Sequence, residues 1–195
     1  MTPLSVSLCL WAAFLVAWWA PALLADRGTA KVRRAELFGW FVGWFIGFGL
    51  LFATEWARHI PAARTVTAEL WRDPEGLAWV LVAAQAGAFA FAFWARAHIG
   101  RLWSGGMHLM TGHRVVDTGP YRLVRHPIYT AFIGAAWSFA LLSPTPLRLG
   151  GAIVLTLTMV LKSRAEEALL RRELGVEAYD AYAARTPALI PFGPR

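Results

Sequence analysis

The sequence predicts an all-α integral membrane protein with about five transmembrane helices. The last two form a short helical hairpin, and a cytoplasmic C-terminal helical segment follows. Three observations predict this. The 195 residues are 57% hydrophobic and only 16% charged, with eleven tryptophans and twelve phenylalanines, whereas a soluble domain carries about 25% charge. The apolar residues gather in runs near the length that crosses a bilayer, about 20 residues. The lysines and arginines fall between those runs and divide unequally between the two sides.

The first apolar run covers about residues 4–25 and begins "MTPLSVSLCLW", without Lys or Arg. A cleaved signal peptide has a basic start, so a retained helix is expected here. Its Cys9 is the single cysteine, which excludes an intramolecular disulfide and a cysteine-based metal site. The second run covers about 37–54 and contains "GWFVGWFIG". Gly39, Gly43 and Gly47 lie on one helix face, where a second helix can approach closely. That face suits packing within the chain or a homodimer. The third run, about 77–95, holds Gln85, a lone polar group that needs an interhelical hydrogen-bond partner. The fourth and fifth runs, about 128–142 and 147–161, are joined by "SPTP". Two prolines in that link force a reversal. We expect two units, residues 1–76 with the first two spans and residues 77–195 with the remaining three.

Of the 19 lysines and arginines, fifteen lie after the first, third and fifth runs, and four lie on the other side. The rule that cytoplasmic loops are basic then puts the N-terminus outside and the C-terminus in the cytoplasm, in the cell's inner membrane. The net charge of +7 is accounted for by these loops, so no nucleic-acid partner is expected. The expected partners are the membrane and a lipophilic small molecule or lipid.

The hairpin leaves and returns to one membrane face. It therefore brings Arg125, His126, Pro127, Ile128 and Tyr129 close to Lys162, Glu166 and Glu167. Pro127 suits the first turn of the fourth helix, which places His126 at its N-cap. A helix N-terminus favours an anion, and Arg125 adds a forked cationic donor. Arg125 alternatively reaches back to lipid headgroups, and Tyr121 and Tyr129 alternatively serve as interfacial aromatics. Adjacent carboxylates at a helix leaving the membrane repel each other. Lys162 and Arg171 stand at ion-pairing distance along the helix, and a cationic ligand would neutralise the pair further. Tyr179 and Tyr182 read as packing or lid residues on a helix that breaks at Gly175. No Walker loop and no strand-borne GxGxxG occurs, and His98, His108, His113 and His126, four of the five histidines, lack a metal-site spacing. No metal is expected.

The stretches "GHRVVDTGPYRLVRHPIYTAF" and "EEALLRRELGVEAYDAYAARTPALIPF", preceded by "ARAHIGRLWSGG", resemble the isoprenylcysteine carboxyl methyltransferase and phospholipid methyltransferase superfamily. The resemblance covers roughly residues 94–192. It implies S-adenosyl-L-methionine as cofactor, held in an enclosed pocket facing the cytoplasm. His113, Arg114, Val115 and Val116 would line that pocket and Tyr121 would touch the cofactor. His126, Pro127, Ile128 and Tyr129 would wrap its amino-acid end. Glu166 would hold a polar or cationic group, with Glu167 supporting it. Lys162 stands where the prenylcysteine enzymes carry an arginine beside the substrate carboxylate, and Ala131 stands where the family often has glycine. Both departures bear on the acceptor.

The expected activity is methyl transfer to a lipophilic acceptor by in-line displacement, with Arg125, Lys162 and Glu166 as the catalytic residues and Ala131 and Lys162 beside the substrate. A prenylcysteine-like carboxylate is favoured because it is ionised at neutral pH and needs no base. A phospholipid amine and a small thiol remain open. The alternative is a non-catalytic membrane binding or assembly protein. A reductase would require a nicotinamide site that the sequence does not show.

Overall fold

The computed structural model describes residues 1–24, 34–102 and 115–193. All regular structure among them is helical: α1 Pro3–Leu24, α2 Arg34–Ala57, α3 Arg64–Thr67, α4 Glu75–Ile99, α5 Pro127–Leu142, α6 Pro146–Leu174 and α7 Val176–Ala183. Four segments are long and apolar enough to cross a membrane: Pro3–Ala20, Gly39–Ala57, Glu75–Ile99 and Pro146–Glu173. Helix α5 is apolar but shorter.

The fifth run departs from expectation. The sequence ends the apolar run at about residue 161, which predicts a short span. Instead α6 is one continuous helix of 29 residues, about 44 Å long. The cause is local. After Leu161 the sequence turns polar, but "KSRAEEALLRREL" consists mostly of strong helix formers and lacks Gly and Pro. The helix stops only at Gly175, whose φ of +94° suits glycine. Because the hydrocarbon core is about 30 Å thick, the last turns of α6 project beyond it and carry the two glutamates.

Lipid is as apolar as the side chains facing it, so close packing and polar pairs must hold these helices together. Aromatic rings fill the centre. Phe14 of α1 stacks on Phe89 of α4 at 4.1 Å, and Trp11 meets Phe89 edge-on at 4.8 Å. Phe132 of α5 completes the cluster against Phe14 and Trp18. Small residues bring α2 and α6 together. A Cβ on Gly151 would stand 2.7 Å from the Gly47 oxygen and 2.7 Å from the Leu51 nitrogen. On the predicted glycine face, Gly43 packs on Thr158 and Gly47 on Leu155, both of α6, while a Cβ on Gly39 would meet nothing within 4 Å among the described residues. The contacts of Gly43 and Gly47 are thus within the chain. Gln85 has the interhelical partner expected of it: its amide donates to the Ser7 oxygen at 3.0 Å, and the Ser7 hydroxyl donates to its carbonyl.

The reversal between α5 and α6 occupies residues 143–145. Thr145 caps α6, accepting from the Arg148 N–H at 3.2 Å. The guanidinium of Arg148 is fully buried there. It pairs with Glu55 of α2, donates to the Ser143 oxygen at 3.0 Å, and lies over the Phe139 ring. Ser143 in turn donates to Glu69 at 3.0 Å. This network ties the hairpin tip to α2 and to the segment after α3.

Candidate functional site

At the opposite end of the hairpin, the start of α5 meets the projecting part of α6. A 3-10 turn, Gly119–Arg122, leads the chain in. Gly119 has φ +58°, and a Cβ there would stand 2.7 Å from the His98 ring. His98 also shares a hydrogen bond of 2.9 Å with the Thr118 hydroxyl. The end of α4 therefore sets the course of this turn. Pro127 opens α5 and His126 is its N-cap, as the sequence indicated, without a side-chain capping bond.

The two adjacent glutamates have different surroundings. Glu167 is buried. Its Oε1 receives the Arg125 Nε–H at 2.8 Å and lies 3.0 Å from His126 Nε2. Its Oε2 pairs with Arg171 at 3.5 Å. Glu166 keeps about a third of its side chain exposed and accepts from the Tyr129 hydroxyl at 2.7 Å. His126 Nδ1 stands 3.8 Å from the same oxygen, and the His126 and Tyr129 rings stack with 5.4 Å between centroids. The Lys162 ammonium lies 5.4 Å from the centre of the Tyr129 ring. Among the described residues Lys162 makes no ion pair with Glu166, whereas the Arg171–Glu167 pair is present as expected.

The guanidinium of Arg125 is engaged on several sides. Besides Glu167 it donates to the Ala183 oxygen at 3.1 Å and to the Thr186 oxygen. The backbone repeats this link: Arg125 N–H donates to Pro187 at 2.8 Å and His126 N–H to Ala188 at 3.0 Å. Thr130 donates to Leu189 at 2.6 Å. Residues 186–189 thus form a strap along the entry to α5. Behind it, α7 contributes Tyr179 and Tyr182, both buried and edge-on to each other at 6.0 Å. The Tyr182 hydroxyl donates to the Tyr121 oxygen at 2.6 Å. Burial pushes the phenols of Tyr121, Tyr179 and Tyr182 well above their usual range, and Glu166 adds to the effect at Tyr121. All three stay neutral at physiological pH.

Of the residues selected from the sequence, the structure brings Arg125, His126, Tyr129, Lys162, Glu166 and Glu167 together. Pro127 is buried and Ile128 packs on the aromatic core. Tyr121 is buried, one hydroxyl bond away from α7. Ala131 is buried within the core cluster. Val115 and Val116 are half-buried, and His113 and Arg114 lie outside the described residues. Sequence reasoning missed His98 as the prop of Gly119, and it missed the strap. Pro187 and Pro191, in an apolar tail after an amphipathic helix, were the available signal for the strap.

Residues 77–172 match the model of the isoprenylcysteine carboxyl methyltransferase (ICMT) family. The chain is also similar to the nickel-cobalt-cadmium resistance protein NccN of Alcaligenes xylosoxydans xylosoxydans, 34% identical over 99 residues. That stretch is 49% of this chain and 45% of the relative, so the likeness spans less than half of the relative's length. The part of the chain that builds the acidic pair and its partners, residues 77–172, is therefore a domain of the isoprenylcysteine carboxyl methyltransferase family.

Proposed function

We propose that this chain is a membrane methyltransferase that uses S-adenosyl-L-methionine to methylate a lipophilic acceptor. A prenylcysteine-like carboxylate is the favoured acceptor class, ahead of a phospholipid amine or a small thiol. One observation carries the reading: Glu166 is half-open beside Tyr129, His126 and Lys162, while its neighbour Glu167 is buried under Arg125.

S-adenosyl-L-methionine, when bound, supplies an electrophilic methyl group on a sulfonium, together with an ammonium and a carboxylate. The donor set fits such a group. The Glu166 carboxylate is turned partly outward and offers a site for a cation. His126 caps α5 without a side-chain bond, which leaves first-turn N–H groups for an anion. Tyr129 orients Glu166, and His126 and Arg125 hold Glu167 in place behind it. In this reading Arg125 acts through Glu167 and the strap, as a positioning residue. Lys162, one turn before Glu166, attracts an anionic acceptor as a point charge without the fork of an arginine. An ionised carboxylate needs only orientation and exclusion of water, which a buried border of this kind provides.

The unequal division of lysines and arginines supports an N-terminus outside and a C-terminus in the cytoplasm. The relative's name raises a role in metal resistance. Among the described residues no group of three His, Cys, Asp or Glu side chains is placed to hold a metal ion.

Calorimetry with S-adenosylhomocysteine in detergent tests the proposal. The wild type should bind saturably, and Glu166→Gln should weaken binding by about tenfold or more, roughly 1.4 kcal/mol. Absence of binding by the wild type would overturn the enzyme reading. Equal binding by the variant would remove Glu166 from the site. Methyl-labelled cofactor with a prenylated cysteine, phosphatidylethanolamine and an alkyl thiol then distinguishes the acceptor classes.

A further inference from the structure

The strap does not end over His126. Its contacts advance in step with the chain entering α5: Pro187 sits beside Arg125, Ala188 beside His126, and Leu189 beside Thr130. The two segments therefore run in the same direction, along the first turn of α5. Thr130 lies three residues past Pro127, about 4.5 Å along the helix. Residues after Leu189 continue from that depth.

Those residues form a tight turn. The Gly193 N–H donates to the Ile190 oxygen at 2.9 Å, and Phe192 between them has φ +63°. A left-handed conformation is uncommon for a bulky residue and marks a position held for a reason. The turn turns its apolar side chains outward: Ile190 is 69% exposed and Phe192 97% exposed. Helix α5 supplies the complementary need. Its 16 residues span about 24 Å, short of a hydrocarbon core of about 30 Å. A short span is accommodated by flanking residues at its ends.

We propose that Ile190 and Phe192 form a membrane-interface anchor. Their side chains enter the boundary between headgroups and acyl chains beside the N-terminus of α5, and so hold the strap over Arg125 and His126. The occupant is lipid. The register of the strap delivers these side chains beside Thr130, where the half-buried stripe Thr130, Ile133, Trp137 and Leu141 begins, the part of α5 that the bundle leaves partly uncovered. The inference rests on α5 as a membrane helix and is independent of methyl transfer.

The test uses the full chain with Cys9→Ser and Phe192→Cys, labelled with a polarity-sensitive fluorophore, in nanodiscs of phosphatidylcholine and phosphatidylglycerol. The reference is the same label on Glu177→Cys, at an exposed position of α7. At 192 we expect blue-shifted emission, several-fold less quenching by aqueous iodide, and quenching by lipids spin-labelled near the headgroup. Iodide quenching equal to that at 177 would overturn the proposal. So would a blue shift lost in discs that hold a single copy, which would identify a second copy as the occupant. Because a label can itself partition into lipid, an unlabelled variant supplies a second readout. Ile190→Ser with Phe192→Ser should speed hydrogen exchange at the Arg125 and His126 amides about tenfold, leaving α4 unchanged. Unaltered exchange there would remove the link between anchor and strap. Both readouts hold whether or not S-adenosylhomocysteine binds.

Discussion

Glu166 and Glu167 differ by one position and perform opposite tasks. Glu167 is enclosed by Arg125, His126 and Arg171, so it belongs to the frame of the site. Glu166 is partly open and held from one side by Tyr129. The substitutions should separate accordingly. Glu167→Gln leaves the Arg125 guanidinium buried without its counter-charge, and losing one partner of such a pair costs about 3–5 kcal/mol. Thermal unfolding in detergent should show a large drop for Glu167→Gln and little change for Glu166→Gln. Equal melting temperatures would contradict this division. The acidic pair was legible in the sequence because adjacent carboxylates near a membrane require cations, and Arg171 stood at helical spacing. The engagement of Arg125 by the Ala183 and Thr186 carbonyls was not legible. Main-chain acceptors leave no trace in a pattern of side chains.

Among the elements, α6 does the most to place the site. Its first half packs on α2 through Gly151 and its second half carries Lys162, Glu166 and Glu167 beyond the apolar zone. Prolines 144 and 146 revealed the reversal, and Gly175 revealed the break. The length of α6 was hidden because hydropathy falls after Leu161 while helix propensity does not. The glycines give an element-level test. At Gly151 a methyl group would meet backbone of α2, which cannot shift cheaply, whereas at Gly39 it would meet none of the described residues. Gly151→Ala should therefore destabilise by about 1–3 kcal/mol, and Gly39→Ala should be neutral. The comparison is read as loss of folded protein on heating in detergent. A neutral Gly151→Ala would show that α2 and α6 approach less closely.

For the whole molecule, the arrangement depends on one bend. Because α5 and α6 reverse through residues 143–145, the start of one and the far end of the other share a border, and α1 and α4 fill the remaining side with aromatic rings. The expected orientation is testable at this scale. In intact cells a reporter fused before α1 should signal from outside, and one fused after residue 195 should signal from the cytoplasm. The reverse result would place the acidic pair on the outer surface, away from a cytoplasmic cofactor supply, and would sink the proposed activity.

The fully buried Arg148 at the hairpin tip has a consequence for biogenesis. With the proposed N-outside orientation, the guanidinium crosses the bilayer before it reaches Glu55, and at mid-depth such a charge costs about 2.5–3.5 kcal/mol even on a permissive insertion scale. Its counter-ion is on α2, which is synthesised nearly a hundred residues earlier and can be in place beforehand. Insertion is thereby given a sequence: α2 first, then the late hairpin, drawn to a waiting carboxylate. A chain lacking that acid would stall with its last two membrane helices undocked, and the far end of the molecule would never assemble.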